Sequence, residues 1–162
     1  MSDFSRRVVE WALTKVGRPY IWAANGPVIW TPSGLKSTLE HTGASEAYDC
    51  VGLVKAAVMA CGGTDVRATW NAQTMFDELP QPRPGETFTL RLYGTAPRIQ
   101  HVAFDLGSGL RLEAAGGDHT TTDLAKSLSR PRAVVRVGFE LRNDFVGFRS
   151  LAALEHFTKG TS

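Results

Sequence analysis

Two short segments, separated by about half the chain, carry side chains able to do covalent chemistry together. One is Tyr48-Asp49-Cys50-Val51-Gly52-Leu53-Val54; the other is Gln100-His101-Val102-Ala103-Phe104. Val51, Val54, Ala57, Val58 and Cys61 follow Cys50 at three-and-four spacing, which predicts a helix beginning at about Asp49. A cysteine in the first turn of a helix meets unpaired backbone N–H groups and the positive end of the dipole, so the position is expected to favour a thiolate. Alternation around His101 predicts a strand offering an imidazole to take the thiol proton, the pairing that cysteine hydrolases and acyl transferases need.

A third group depends on one turn. If Gly107-Ser108-Gly109 forms the loop of a hairpin, Leu106 faces Leu110 and Ala103 faces Glu113. Glu113 is then a diagonal neighbour of His101, ~7 Å away at the backbone and within reach of long side chains. Its carboxylate would fix the imidazole tautomer and stabilise the charged ring. A loop of Ser108-Gly109 alone would turn Glu113 to the opposite face and leave His119 as the substitute.

The elements that must position these groups follow from pattern. Phe4, Val8, Trp11, Ala12 and Lys15 fit an amphipathic helix ended by Gly17 and Pro19. A long loop is expected from Trp22 to Tyr48, of the kind that lines a site. The Cys50 helix ends at Gly62-Gly63, and a second runs from Trp70 to Leu79. Beyond Pro82 and Pro84, strands are predicted at Thr87–Tyr93, Gln100–Leu106, Leu110–Ala114 and Ala133–Leu141. Helices first and a mostly antiparallel sheet after them make an α+β plan.

At 162 residues and 43% apolar, the chain fits one globular domain with a real core. Its net charge of +2 and scattered arginines disfavour a nucleic-acid reader. Cys50 and Cys61 lie ~16 Å apart along one helix, too far to bridge, so both thiols are expected free. No signal peptide, membrane span or zinc motif is read, and neither metal nor cofactor is called for.

Together these residues resemble the NlpC-type cell-wall peptidases, papain-like cysteine hydrolases of bacteria and their phages. The resemblance rests on Gly17-Arg18-Pro19-Tyr20, Asp49-Cys50-Val51-Gly52, Pro84-Gly85-Glu86, His101-Val102-Ala103 and Glu113-Ala114. It implies Cys50 as nucleophile, His101 as base and Glu113 as orienting third member. It also implies a substrate or intermediate contact from Tyr20, a hold on the substrate amine from Asp49, and an oxyanion hole at the start of the Cys50 helix. The implied reaction is hydrolysis of amide bonds in peptidoglycan stem peptides, commonly between γ-D-glutamyl and the diamino acid.

The chain departs from the family pattern where Val51 replaces serine, Ala103 replaces glycine and Glu113 stands where histidine is commonest. Its loop from Pro27 to Tyr48 is longer than in compact members, and Ile29 and Trp30 are candidates to cover the cleft. Association with a virion, or delivery to the wall or periplasm by another system, is expected, with a phage tail hydrolase and its tail-protein partners favoured over an endolysin or an injected toxin. The competing expectations are an acyltransferase or deamidase, and a structural tail or adaptor module that keeps the fold without the chemistry.

Overall fold

The computed structural model describes residues 3–22, 28–31, 34–37, 46–66, 70–95, 97–139 and 142–158. Helix α1 (Phe4–Leu13) forms because Phe4, Val8, Val9 and Ala12 recur on one buried face. Helix α2 (Cys50–Ala60) starts on Asp49, whose carboxylate accepts the Gly52 backbone N–H at 2.6 Å, and every residue from Val51 to Val58 is buried. It packs against α1 on one side and the main sheet on the other. Helix α3 (Ala72–Glu78) is capped by Asn71, which accepts the Thr74 N–H at 2.8 Å.

The main sheet is antiparallel throughout, in the order β7-β6-β5-β4-β8. Its strands are β4 (Thr89–Thr95), β5 (Arg98–Gly107), β6 (Leu110–Ala115), β7 (Val134–Phe139) and β8 (Phe145–Arg149). Alternation gives the sheet two unlike faces. Leu90, Leu92, Val102, Phe104, Leu112, Ala114 and Val135 join the helices in one core cluster. Arg91, Tyr93, His101, Asp105, Arg111 and Glu113 occupy the other face, and of these Tyr93, His101, Arg111 and Glu113 are buried. The α+β plan expected from the sequence is therefore present.

Two expectations need correction. The stretch from Trp22 to Tyr48 is not one long loop, because β1 (Val28–Thr31), β2 (Gly34–Ser37) and β3 (Glu46–Ala47) form a small antiparallel sheet within it. The proposed covering role of Ile29 and Trp30 lies outside the described side chains. The hairpin between β5 and β6 turns on Ser108-Gly109 alone, since Gly107 already pairs with Leu110. Leu106 is an extra, bulged residue, and it restores Asp105↔Arg111 and Phe104↔Leu112 beyond it. The shorter turn thus leaves Glu113 on the face of His101, because the bulge compensates for the missing loop residue. Strand β8 and the short helix α4 (Leu124–Leu128) carry patterns too brief to be read from sequence.

Among the described residues, no helix is long and apolar enough to cross a membrane.

Candidate active site

Cys50 reaches the histidine strand through a second bulge. Strand β4 pairs Tyr93 with His101 and Gly94 with Ile99, which leaves Gln100 unopposed. A side chain at Gly94 would overlap the Arg98 carbonyl, so glycine permits this close approach of the strands. The Cys50 thiol donates to the Gln100 carbonyl at 3.9 Å, and the Val102 backbone N–H points to the same sulfur. The sulfur is therefore held by the two residues that flank His101. Pairing of β5 with β6 stops at Phe104↔Leu112 among the described residues.

Across that opening, His101 Nε2 lies 2.6 Å from Glu113 Oε1. The other carboxylate oxygen, Oε2, accepts Arg111 Nε–H at 2.7 Å and lies 3.6 Å from Arg136 Nε. Burial alone would raise the Glu113 pKa, but His101 and Arg111 outweigh it and hold the carboxyl at about 2. Arg111 is fixed beside Glu113 and always charged, so the carboxylate stays ionised whether or not the imidazole carries a proton. An ionised carboxylate only accepts, which places the imidazole proton on Nε2 and the lone pair on Nδ1.

Burial holds His101 below its ordinary pKa, against the pull of Glu113 and with the help of Arg142 and Arg111. Burial also pushes the Cys50 thiol up to about 12, with the Asp49 carboxylate acting in the same sense. Backbone N–H groups of Val102 and Val51 oppose this without reversing it. The thiolate expected from the helix start is therefore corrected. Desolvation and the capping carboxylate oppose the dipole and favour a neutral thiol, as burial favours the neutral imidazole of His101.

Tyr20 arrives on the segment Pro19 to Ile21, which is stitched between two elements. Its N–H donates to Ala133 O at 2.8 Å, while Tyr48 N donates to Pro19 O at 3.0 Å and Ile21 N to Tyr48 O at 3.2 Å. The ring packs on Gly117, where a Cβ would overlap its Cδ1 and Cε1. Burial, then the charges of Cys50, Asp49 and Asp118, keep the phenol un-ionised well above its usual range. Asp49 is both the cap of α2 and a negative charge at the sulfur. His119, the substitute for Glu113, is exposed and stands apart with Thr120, Lys126 and Arg130.

Sequence reasoning missed Tyr93, Arg111 and Arg142. The Tyr93 ring lies 5.4 Å from the His101 ring, with the Arg142 guanidinium 5.0 Å from its centroid. Arg142 is itself gripped by Asp144 through two bonds of 2.8 and 2.7 Å. Arg111 was within reach of a parity argument, since it stands two residues before Glu113 on the same strand face.

The backbone compares with solved structures over nine-tenths of its length. RipB of Mycobacterium tuberculosis, a peptidoglycan hydrolase, superposes at a TM-score of 0.58 with 23% identity, over 91% of this chain and 64% of that one. The P60 domain of an antigen from M. avium paratuberculosis gives 0.59 with 21% identity, over 91% and 92%. The chain has the NlpC/p60 fold. RipD of M. tuberculosis, described as a non-catalytic NlpC/p60 protein adapted to peptidoglycan binding, matches at 0.58 with 20% identity over 93% and 98%. The chain is thus similar in fold both to a hydrolase and to a binder. No protein-family model and no curated protein sequence matches the chain.

Proposed function

We propose that this chain is a cysteine peptidase that hydrolyses amide bonds in peptidoglycan stem peptides, between the γ-D-glutamyl residue and the diamino acid. The observation that carries the reading is the Cys50 sulfur seated on the two residues that flank His101, whose ring is bonded at Nε2 by the Glu113 carboxylate and so keeps Nδ1 as its basic nitrogen. A module that only binds peptidoglycan has no use for a buried carboxylate aligned on that ring. Similarity to the fold of RipB supports the substrate class.

In this mechanism, Cys50 Sγ attacks the carbonyl carbon as its proton passes to His101 Nδ1. The S–C bond forms and the carbonyl oxygen takes up the negative charge. The Cys50 backbone N–H and the Tyr20 hydroxyl would steady that charge, since the Gly52 N–H is already committed to Asp49. Collapse breaks the C–N bond, and the imidazolium returns its proton to the leaving amine. Water, deprotonated by His101, then attacks the thioester; the acid leaves and the thiol is restored. Glu113 stabilises the imidazolium in both halves.

Incubation of the purified protein with defined muropeptides, followed by mass spectrometry of the products, tests this. The wild-type protein is expected to release fragments cut at the γ-D-glutamyl bond, and Cys50→Ala none, with an unchanged circular dichroism spectrum. Cleavage by Cys50→Ala, or intact muropeptides after exposure to the wild-type protein, would overturn the reading. Retention of the muropeptides without cleavage would favour a RipD-like binder.

A further inference from the structure

Arg111 is nearly inaccessible, its side chain 5% exposed, yet it bonds to the carboxylate beside the base. Its Nε–H takes Glu113 Oε2 at 2.7 Å, while Oε1 serves His101 at 2.6 Å. The same guanidinium lies 5.7 Å from the centroid of the Tyr93 ring, which packs against His101 with ring centroids 5.4 Å apart. Tyr93 is held at its far end as well, because its hydroxyl accepts Arg91 Nε–H at 2.9 Å and Arg91 pairs with Asp105 at 2.8 Å. Arg111 thus touches both supports of the imidazole.

We propose that Arg111 is a positioning residue for the base: by occupying one oxygen of Glu113 and bracing Tyr93, it aims the other oxygen at Nε2 and turns Nδ1 toward the sulfur. A carboxylate flanked by one donor could rotate or offer both oxygens to the ring. A directional N–H on Oε2 removes that freedom. The fixed cation also sets the proton affinity of the ring, because part of the carboxylate charge is spent on Arg111 rather than on the imidazolium.

Other charges facing His101 must be held constant in any test. Glu113 belongs to the same strand as Arg111, Arg136 on β7 stands 3.6 Å from Oε2, and Arg142 with its partner Asp144 approaches from the segment before β8. On the α2 side stand Cys50 and its neighbour Asp49. A substitution at Arg111 leaves every one of these residues in place and removes one donor from Glu113.

The experiment is a pH titration of the His101 ring by NMR in ligand-free protein, with kcat and KM measured on defined muropeptides. In Arg111→Gln the titration of His101 is expected to move up by about one pH unit. The acid limb of kcat/KM should follow it, with kcat down roughly ten- to hundredfold and KM unchanged. Arg111→Lys keeps the charge but not the fork, so it should restore the titration and only part of kcat. A folded Arg111→Gln with wild-type titration and wild-type kcat overturns the proposal. Should that variant not fold, Arg111→Lys decides alone, and wild-type kcat there is the overturning result. The kinetic arm rests on the proposed peptidase reading. The titration uses no substrate, so it still judges Arg111 if the wild-type protein cleaves nothing.

Discussion

His101 and Glu113 meet across an opening in the sheet: Nε2 and Oε1 are 2.6 Å apart, although the strands that carry them cease to pair at Phe104 and Leu112. Side chains, not backbone, bridge the two strands here. The same opening lets the start of α2 bring its sulfur to Gln100 and Val102, so the contact that orients the base also borders the place of the nucleophile.

Glu113→Gln retains shape but can no longer stabilise the imidazolium. On muropeptide substrate, kcat should fall roughly 10²- to 10⁴-fold with little change in KM. Glu113→Ala should add a stability loss of about 3–5 kcal/mol in denaturant melts, because it strips the buried Arg111 of its carboxylate partner. Equal kinetics for wild type and Glu113→Gln would return Glu113 to a purely structural part.

Activity should rise with pH through the His101 pKa, which lies below the ordinary 6.5, and be fully developed at neutrality. Stability has the same sign. Between 6.5 and the depressed folded value the unfolded chain binds the extra proton, so His101 costs stability as pH falls through that window. Glu113 contributes stability present above 4.5 and lost as pH falls toward about 2. Melting temperatures taken down this range should show two stages of loss, and the lower one should be smaller in Glu113→Gln, where only the other depressed carboxylates, Asp118 and Asp144 among them, remain.

Gly117→Ala tests Tyr20 without touching it. The new Cβ would overlap the Tyr20 ring, forcing it to move, and kcat should drop about tenfold or more if the hydroxyl helps hold the oxyanion. A variant that loses only stability, with its kcat intact, would confine Tyr20 to packing.

Ser108 sits at φ 54 and Gly109 at φ 79, the left-handed pair of a tight hairpin turn. Ser108→Asn suits that backbone better and should raise stability by about 0.5–1 kcal/mol without altering kinetics. Thermal unfolding of the two proteins side by side checks it. A lower melting temperature would mean that the turn is held by something other than its own backbone preference.

Much of this site could be read along the chain because its signals are local. The cap at Asp49, the apolar run after Cys50 and the alternation around His101 each depend on near neighbours. The predicted Thr87–Tyr93 and Gln100–Leu106 strands match β4 and β5 to within two residues at either end. What escaped was non-local. The bulge at Leu106 depends on how two strands meet, which is why the right face for Glu113 emerged from a loop one residue too long. The ionisation of Cys50 escaped for a similar reason: the helix start is visible in sequence, whereas burial against β5 is not. Tyr93 beside His101 required the pairing of β4 with β5, and Phe145–Arg149 is a short strand, bulged at Val146, that docks on β4 far from its sequence neighbours.

The two-faced sheet has a consequence for how this molecule tolerates change. Base and orienting acid project from one side while the apolar core lies on the other, so substitutions in the two layers should combine almost independently. Cys50 is the exception, a nucleophile contributed by the helical layer. A slide of α2 over the strands, from a mutation as remote as its far end, would be felt at the sulfur as a lost alignment before it registered as a loss of folding.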